Sequence, residues 1–202
     1  DSSIIDILPS IYIETNQIDK SITLYQKLIE KNPSNQFYLR TIADLLQKNN
    51  AFIDSINVLK TLLDVSPNSK SSIIKECEVI GKLNSKNKDI QLALIDIYMS
   101  HHFPDKLLPI IHELPDLSTT EMEKLLKLLK NSIKTYPYSN EIKIALAELL
   151  ISKNQLSEAA YYIEMCIEHH YDTHHISIKN ALTKIIQQNP KHHFALELII
   201  EA

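Results

Sequence analysis

Small and apolar residues recur at Leu146, Ala147, Leu150, Ala159, Ile163 and Cys166 in the stretch NEIKIALAELLISKNQLSEAAYYIEMCIEH, residues 140–169. Within each half they lie three, four and seven apart, and a polar break falls at Ser152 to Gln155. Residues at that period share one face of a helix, so the stretch predicts two amphipathic helices joined by a tight turn.

The same pattern fits the start of the chain. Ile5, Leu8, Tyr12, Ser21, Tyr25, Leu28 and Pro33 fall at matching offsets. A second copy runs from Gln36 to Pro67 with Leu39, Ile42, Ala43, Leu46, Ser55, Leu59 and Leu62, and its closing proline stands 34 residues after Pro33. Self-similarity at this period predicts stacked helical hairpins, each covering the apolar face of its neighbour.

After Pro67 the period slips. Ser69 to Leu83 reads as one inserted or unpaired helix, ending near Gly81 and the polar stretch Asn84 to Lys88. A third hairpin fits with Leu94, Ile95 and Tyr98 on its first helix and Leu107, Ile111 and Leu114 on its second, turning at His101 to Pro104 and closed by Pro115. Ser118 and Thr119 open a helix that runs to about Tyr136, its hydroxyls and first-turn acids suited to free backbone N–H groups. A helix near His174 to Gln188 and another from Pro190 to the end follow. The expectation is an all-α chain of about twelve antiparallel helices forming one solenoid over 1–202. Its hairpin repeats lie at about 2–34, 36–68, 88–115 and 140–171, with extra helices at about 69–84, 118–136, 174–188 and 191–202.

These residues resemble the tetratricopeptide repeat (TPR) family. Leu146-Ala147 and Ile42-Ala43 match the apolar–small pair of its first helix, Tyr12 and Tyr98 its tyrosine, Ala159 the small residue of the second helix, Tyr25 the aromatic, and Pro33 and Pro67 the terminator. Ser21 and Ser55 replace the small alanine, Pro9 replaces the small residue of the first copy, and Tyr171 stands where the 140-copy should have proline. The resemblance implies a right-handed superhelix whose first helices line a groove for a protein or peptide. On this chain the implied groove residues are Phe37, Arg40, Asp44 and Lys48, then Asp96 and Met99, then Glu141, Ile144 and Glu148. Mixed charge with an aromatic and a methionine suits an extended peptide or a partner helix. Members that clamp a carboxylate use Lys and Asn where this chain has Asp6 and Ser10, so that activity is not expected. The segment ALAELLISKNQLSEAAYYIEMCIEHHYDTHHI is also similar to bacterial membrane-anchored assembly factors of the HemY-like and lipopolysaccharide-assembly types.

Composition narrows the chemistry. A single glycine, Gly81, cannot build a phosphate-cradling or dinucleotide loop. Net charge is −4, and the one arginine, Arg40, with lysines interleaved among acids, argues against a nucleic-acid groove. Cys77 and Cys166 occupy apolar helical positions as buried free thiols, which favours an intracellular, cytoplasmic compartment. No apolar run approaches the ~20 residues that span a bilayer. The first residue is Asp1 rather than Met, so an upstream piece is expected, and the likeness to the membrane-anchored assembly factors implies that it carries an inner-membrane anchor.

Eight of the nine histidines form adjacent pairs: His101-His102, His169-His170, His174-His175 and His192-His193. Neighbours on a helix diverge by ~100° and cannot share an ion from one face. Only His170 and His174 have ligand spacing, across a stretch that reads as a turn, and helix-end placement accounts for most pairs. Cys166 has His169 three residues on but fills the repeat's buried position, so no catalytic or cofactor-binding set emerges. With no catalytic set in view, the resemblances imply a non-catalytic interaction scaffold or adaptor in an envelope or complex-assembly pathway. The alternatives are a recruiting domain of a larger enzyme or redox chaperone, and a His-dependent metal or pH-responsive protein.

Overall fold

The computed structural model describes residues 2–114, 116–167 and 174–201. Among them every regular element is helical: α1 (Ser2–Glu14), α2 (Ile18–Lys31), α3 (Gln36–Lys48), α4 (Phe52–Val65), α5 (Lys70–Leu83), α6 (Lys88–Ser100), α7 (Leu107–Glu113), α8 (Thr119–Thr135), α9 (Asn140–Ser152), α10 (Leu156–Ile167), α11 (His175–Gln188) and α12 (His193–Glu201). Polar side chains set several starts. The Asn35 side-chain Oδ1 accepts from the Tyr38 amide, the Ser139 hydroxyl accepts from the Ile142 amide, and Ser118 and Glu121 exchange hydrogen bonds in a full capping box. Contacts divide the chain into two compact units, residues 1–97 and 98–202.

In the first unit the hairpins α1/α2 and α3/α4 turn on left-handed asparagines. Asn16 and Asn50, 34 residues apart, both have φ of 57°. The next amide in each reaches back to the helix, Gln17 to the Tyr12 carbonyl at 2.7 Å and Ala51 to the Leu46 carbonyl at 2.8 Å. These are six-to-one bonds of the Schellman type, which satisfy end carbonyls and reverse the chain. Ser21 and Ser55, at positions where the resemblance expects alanine, are fully buried and still fit, because each hydroxyl donates to a carbonyl twelve residues back, on Pro9 at 3.0 Å and Ala43 at 3.1 Å. Tyr25, Leu28, Ile42 and Leu46 close the core between α2 and α3.

The third hairpin differs from the expected 88–115. Helix α5 packs on α4 and meets α6 at its only glycine, so it is neither inserted nor unpaired. A Cβ on Gly81 would meet the Leu94 Cδ1 at 2.4 Å, and the buried Gln91 amide donates to the Gly81 carbonyl at 2.9 Å. Ile80-Gly81 thus plays the part of Ile42-Ala43, and α5 with α6 forms the hairpin. Gly81 sits inside a helix that continues to Leu83 with no left-handed backbone at the glycine; it admits a neighbour rather than ending the helix. The alternation of first and second helices is consequently α1/α2, α3/α4, α5/α6.

In the second unit α9 is surrounded by α7, α8, α10 and α11. Ten of its thirteen residues are buried, including Ile142, Ile144, Ala145, Leu146 and Ala147. Its turn into α10 uses Asn154 (φ 58°), with the Gln155 amide on the Leu150 carbonyl at 2.9 Å. His102 (φ 70°) takes the same role before Phe103, and its imidazole meets the Tyr136 hydroxyl. Two rows result: α7, α9 and α11 in one, α8, α10 and α12 in the other. The Lys130–Glu158 ion pair at 2.6 Å ties α8 to α10.

Candidate functional site

A groove of about 840 Å³ lies along the row α7, α9 and α11. That volume falls within the ~300–1,000 Å³ common for ligand sites. One wall is apolar, made by Ile111 and Leu114 at the end of α7, Leu117 beyond it and Met122 in α8. The opposite wall is a polar stripe on α11, Ser177, Asn180, Lys184 and Gln187, spaced so that they share one helical face. Glu148 lies between them.

The Glu148 side chain is only 9% exposed. His112 Nε2 stands 2.9 Å from its Oε1, and Lys184 Nζ stands 3.7 Å from the same oxygen. Both basic side chains are about half exposed, at 47% and 52%, so the buried member of the cluster is the acid. Such a carboxylate is held by its neighbours yet reachable from the groove.

The sequence-derived residues separate under this geometry. Glu148 is in the groove. Ile144 is fully buried and Met99 is 6% exposed, so neither can meet a partner; they are core because α9 is enclosed on every side and because Met99 lies on the buried face of α6. Asp96 belongs to α6, a second helix of its hairpin, and pairs with Lys60 of α4 rather than lining a first-helix row. Glu141 accepts from the Ser139 hydroxyl at 2.8 Å and lies 3.1 Å from His174 Nε2, joining α9 to the start of α11. Burial would raise its pKa, but its own backbone N–H, Ser139 and His174 outweigh that and hold the carboxyl below its ordinary value.

In the first unit the structure brings Arg40 and Asp44 together with Glu76. The guanidinium donates to Glu76 Oε2 at 2.5 Å and pairs with Asp44 at 3.1 Å, while the Gln47 amide donates to Glu76 Oε1 at 2.6 Å. Burial lowers the Arg40 pKa, and Glu76 and Asp44 more than compensate, raising it overall. This network fastens α3 to α5. Phe37 is 66% exposed, edge-on to Tyr38, and Lys48 is exposed in the last turn of α3.

His174 has a carboxylate neighbour in Glu141, and His169, His170, Tyr171 and Pro115 lie outside the described residues. Among the described residues no three His, Cys, Asp or Glu side chains gather as metal ligands, and no helix is long and apolar enough to cross a membrane. Cys77 and Cys166 are buried, and that burial pushes both thiols up to about 12. A thiol kept protonated is a poor nucleophile. Beside Cys166 lies a residue the pattern did not single out, Lys143, fully buried on α9 with its ammonium donating to the Met165 carbonyl at 3.3 Å.

No family model and no curated protein matches the chain. Among solved structures it is similar to that of YrrB, a TPR protein with an unusual peptide-binding site, at 14% identity over 94% of this chain and 87% of that one, with a TM-score of 0.29. It is likewise similar to TTC0263, a thermophilic TPR protein of Thermus thermophilus, at 11% identity over 96% of this chain and 94% of that one, again at 0.29. Likenesses at that TM-score carry no argument about this chain, so its all-α hairpin architecture rests on its own helices, turns and packing.

Proposed function

We propose that the chain is a non-catalytic protein-interaction scaffold that holds a peptide or partner helix in the groove of α7, α9 and α11. The observation that carries this reading is the groove's make-up: an apolar wall, a polar helix face opposite, and an almost buried carboxylate between them. An extended or helical segment has one apolar side and a set of hydrogen-bonding groups, which is what the two walls accept. A place in envelope or complex assembly rests on the sequence resemblance alone.

The test is affinity capture from source-cell lysate by the intact chain, run beside Asn180→Trp. Asn180 is exposed on the groove wall, so an indole there fills the groove without disturbing the core. A discrete protein captured by the original chain and lost with Asn180→Trp supports the reading; partners retained in full by the variant contradict it.

A further inference from the structure

We infer that the row α7, α9 and α11 carries a pH-sensitive clamp: when His112 and His174 take up protons, their contacts with two carboxylates of α9 become ion pairs and bind α7 and α11 more firmly to α9. The clamp goes beyond the scaffold reading and stands whether or not the groove holds a partner.

The geometry repeats itself along one helix. Glu141 and Glu148 are seven residues apart on α9, two turns, and so share a face. Each meets a histidine from a flanking helix. His112 Nε2 of α7 lies 2.9 Å from Glu148 Oε1, and His174 Nε2 at the start of α11 lies 3.1 Å from Glu141 Oε1. Both acids are sheltered, with side chains 9% and 23% exposed, so a charge set beside them is screened less than on an open surface. A neutral imidazole can already donate its Nε2–H to the carboxylate. A second proton, on Nδ1, brings a full positive charge to the same contact and strengthens it. Histidine makes that change between about pH 8 and pH 5. Carboxylates ordinarily stay ionised across most of that range, and Glu141 is held lower still, against its burial, by its own backbone N–H, Ser139 and His174.

The surrounding charges divide. Around His112, Glu113 beside it on α7, Asp116 in the same groove and the carbonyl end of α7 favour the cation, whereas Lys184 of α11, 3.7 Å from Glu148 Oε1, opposes it. Lys184 lies farther from the acid than His112 does and is half exposed, so water screens it and the nearer pair prevails. Around His174, the amide end of α11, the adjacent His175 and the buried Lys143 of α9 oppose the cation, while Cys166 of α10 stays a neutral thiol. A helix end carries about half a charge, less than the full charge of a carboxylate at hydrogen-bond distance. On the remaining helices against α9, Lys130 of α8 and Glu158 of α10 pair with each other.

A histidine that holds its proton more firmly in the folded chain adds stability that is complete below the unfolded histidine range and is lost as pH rises above it. The test is a pair of double-mutant cycles on the intact chain, His112→Gln with Glu148→Gln and His174→Gln with Glu141→Gln, at about pH 5.5 and about pH 8, either side of the ordinary histidine value. Urea unfolding followed by circular dichroism reads each coupling, and the other histidines cancel within a cycle. The clamp predicts that each coupling, expressed as a factor in the unfolding equilibrium constant, is at least about threefold larger at the lower pH. Where Glu148→Gln, the most buried of the changes, fails to fold, the half-exposed His112→Gln is compared with the original chain, and its loss of stability must likewise be larger at the lower pH. Equal or weaker coupling at the lower pH in both cycles overturns the inference, and a gain in one cycle alone overturns the two-point clamp.

Discussion

The left-handed asparagines at the hairpin turns give the sharpest test of the fold. Asn16, Asn50 and Asn154 hold φ at 57°, 57° and 58° with exposed side chains, so substitution there changes backbone preference and little else. An ordinary L-residue in this region is ~1–2 kcal/mol less stable than in the right-handed one, and asparagine escapes part of that cost through local hydrogen bonding. Replacing each asparagine by alanine should therefore cost about 1 kcal/mol. Glycine has no Cβ to clash but surrenders more freedom on folding, ~0.5–1 kcal/mol, so Asn→Gly should come out near neutral. Each site lies in a different turn, so the triple alanine variant should lose about 3 kcal/mol. Against a typical total of ~5–15 kcal/mol that is a large loss. Urea unfolding followed by circular dichroism reads it directly, and each kcal/mol corresponds to roughly 2–4 °C in Tm for a chain of this length. Alanine variants as stable as their glycine counterparts at all three sites would refute the account of these turns.

Gly81→Ala should destabilise by about 1–3 kcal/mol, since the added methyl meets the Leu94 Cδ1 at 2.4 Å inside a packed contact; calorimetry showing the ~1 kcal/mol gain usual for Gly→Ala in an open helix would sink the close-approach argument. With both thiols raised to about 12 in the folded chain and ordinary in the unfolded one, the thiol contribution to stability is complete below about pH 9 and is lost as pH climbs toward 12. Native Cys77 and Cys166 should accordingly resist iodoacetamide at pH 8 and react only after unfolding, as mass spectrometry of the alkylated chain can check; rapid native labelling would contradict their burial. Glu141 works in the opposite direction: its depressed pKa adds stability above the usual carboxylate pKa and withdraws it as pH falls through the folded value. Acid unfolding of Glu141→Gln should therefore show a shallower loss below that range, and an identical acid limb in both proteins would remove its hydrogen-bond network as the cause.

The pairs read at about 2–34, 36–68 and 140–171 share one offset of polar breaks and small residues, and left-handed asparagines stand in those breaks at 16, 50 and 154. The frame between them was lost at Gly81. Read as a helix end, it hid the apolar–small pair Ile80-Gly81, and Leu94-Ile95 then imitated that pair one helix too late. The same shift put Asp96 and Met99 on the wrong row. Ile144 misled for a different reason: α9 is enclosed by four helices, so a position on the polar side of an amphipathic pattern is still interior, and the fully buried Lys143 shows how far burial there departs from the pattern. Glu148 was among the residues singled out, but its setting was not legible. His112 and Lys184 sit on α7 and α11, helices read as lying outside the groove-lining set, and only the polar stripe Ser177, Asn180, Lys184 and Gln187 at helical spacing signalled a second wall.

The measurement that bears most directly on the scaffold reading is site-specific photocrosslinking in the source cells. The photoreactive residue p-benzoyl-phenylalanine would replace Asn180 in the groove or, in a parallel strain, Tyr161, which is 52% exposed on α10 in the other row of helices. The account predicts a discrete crosslinked protein from position 180 and none from 161. A crosslink from 161 with none from 180 would contradict it, and would move the interaction surface to the α8, α10 and α12 row.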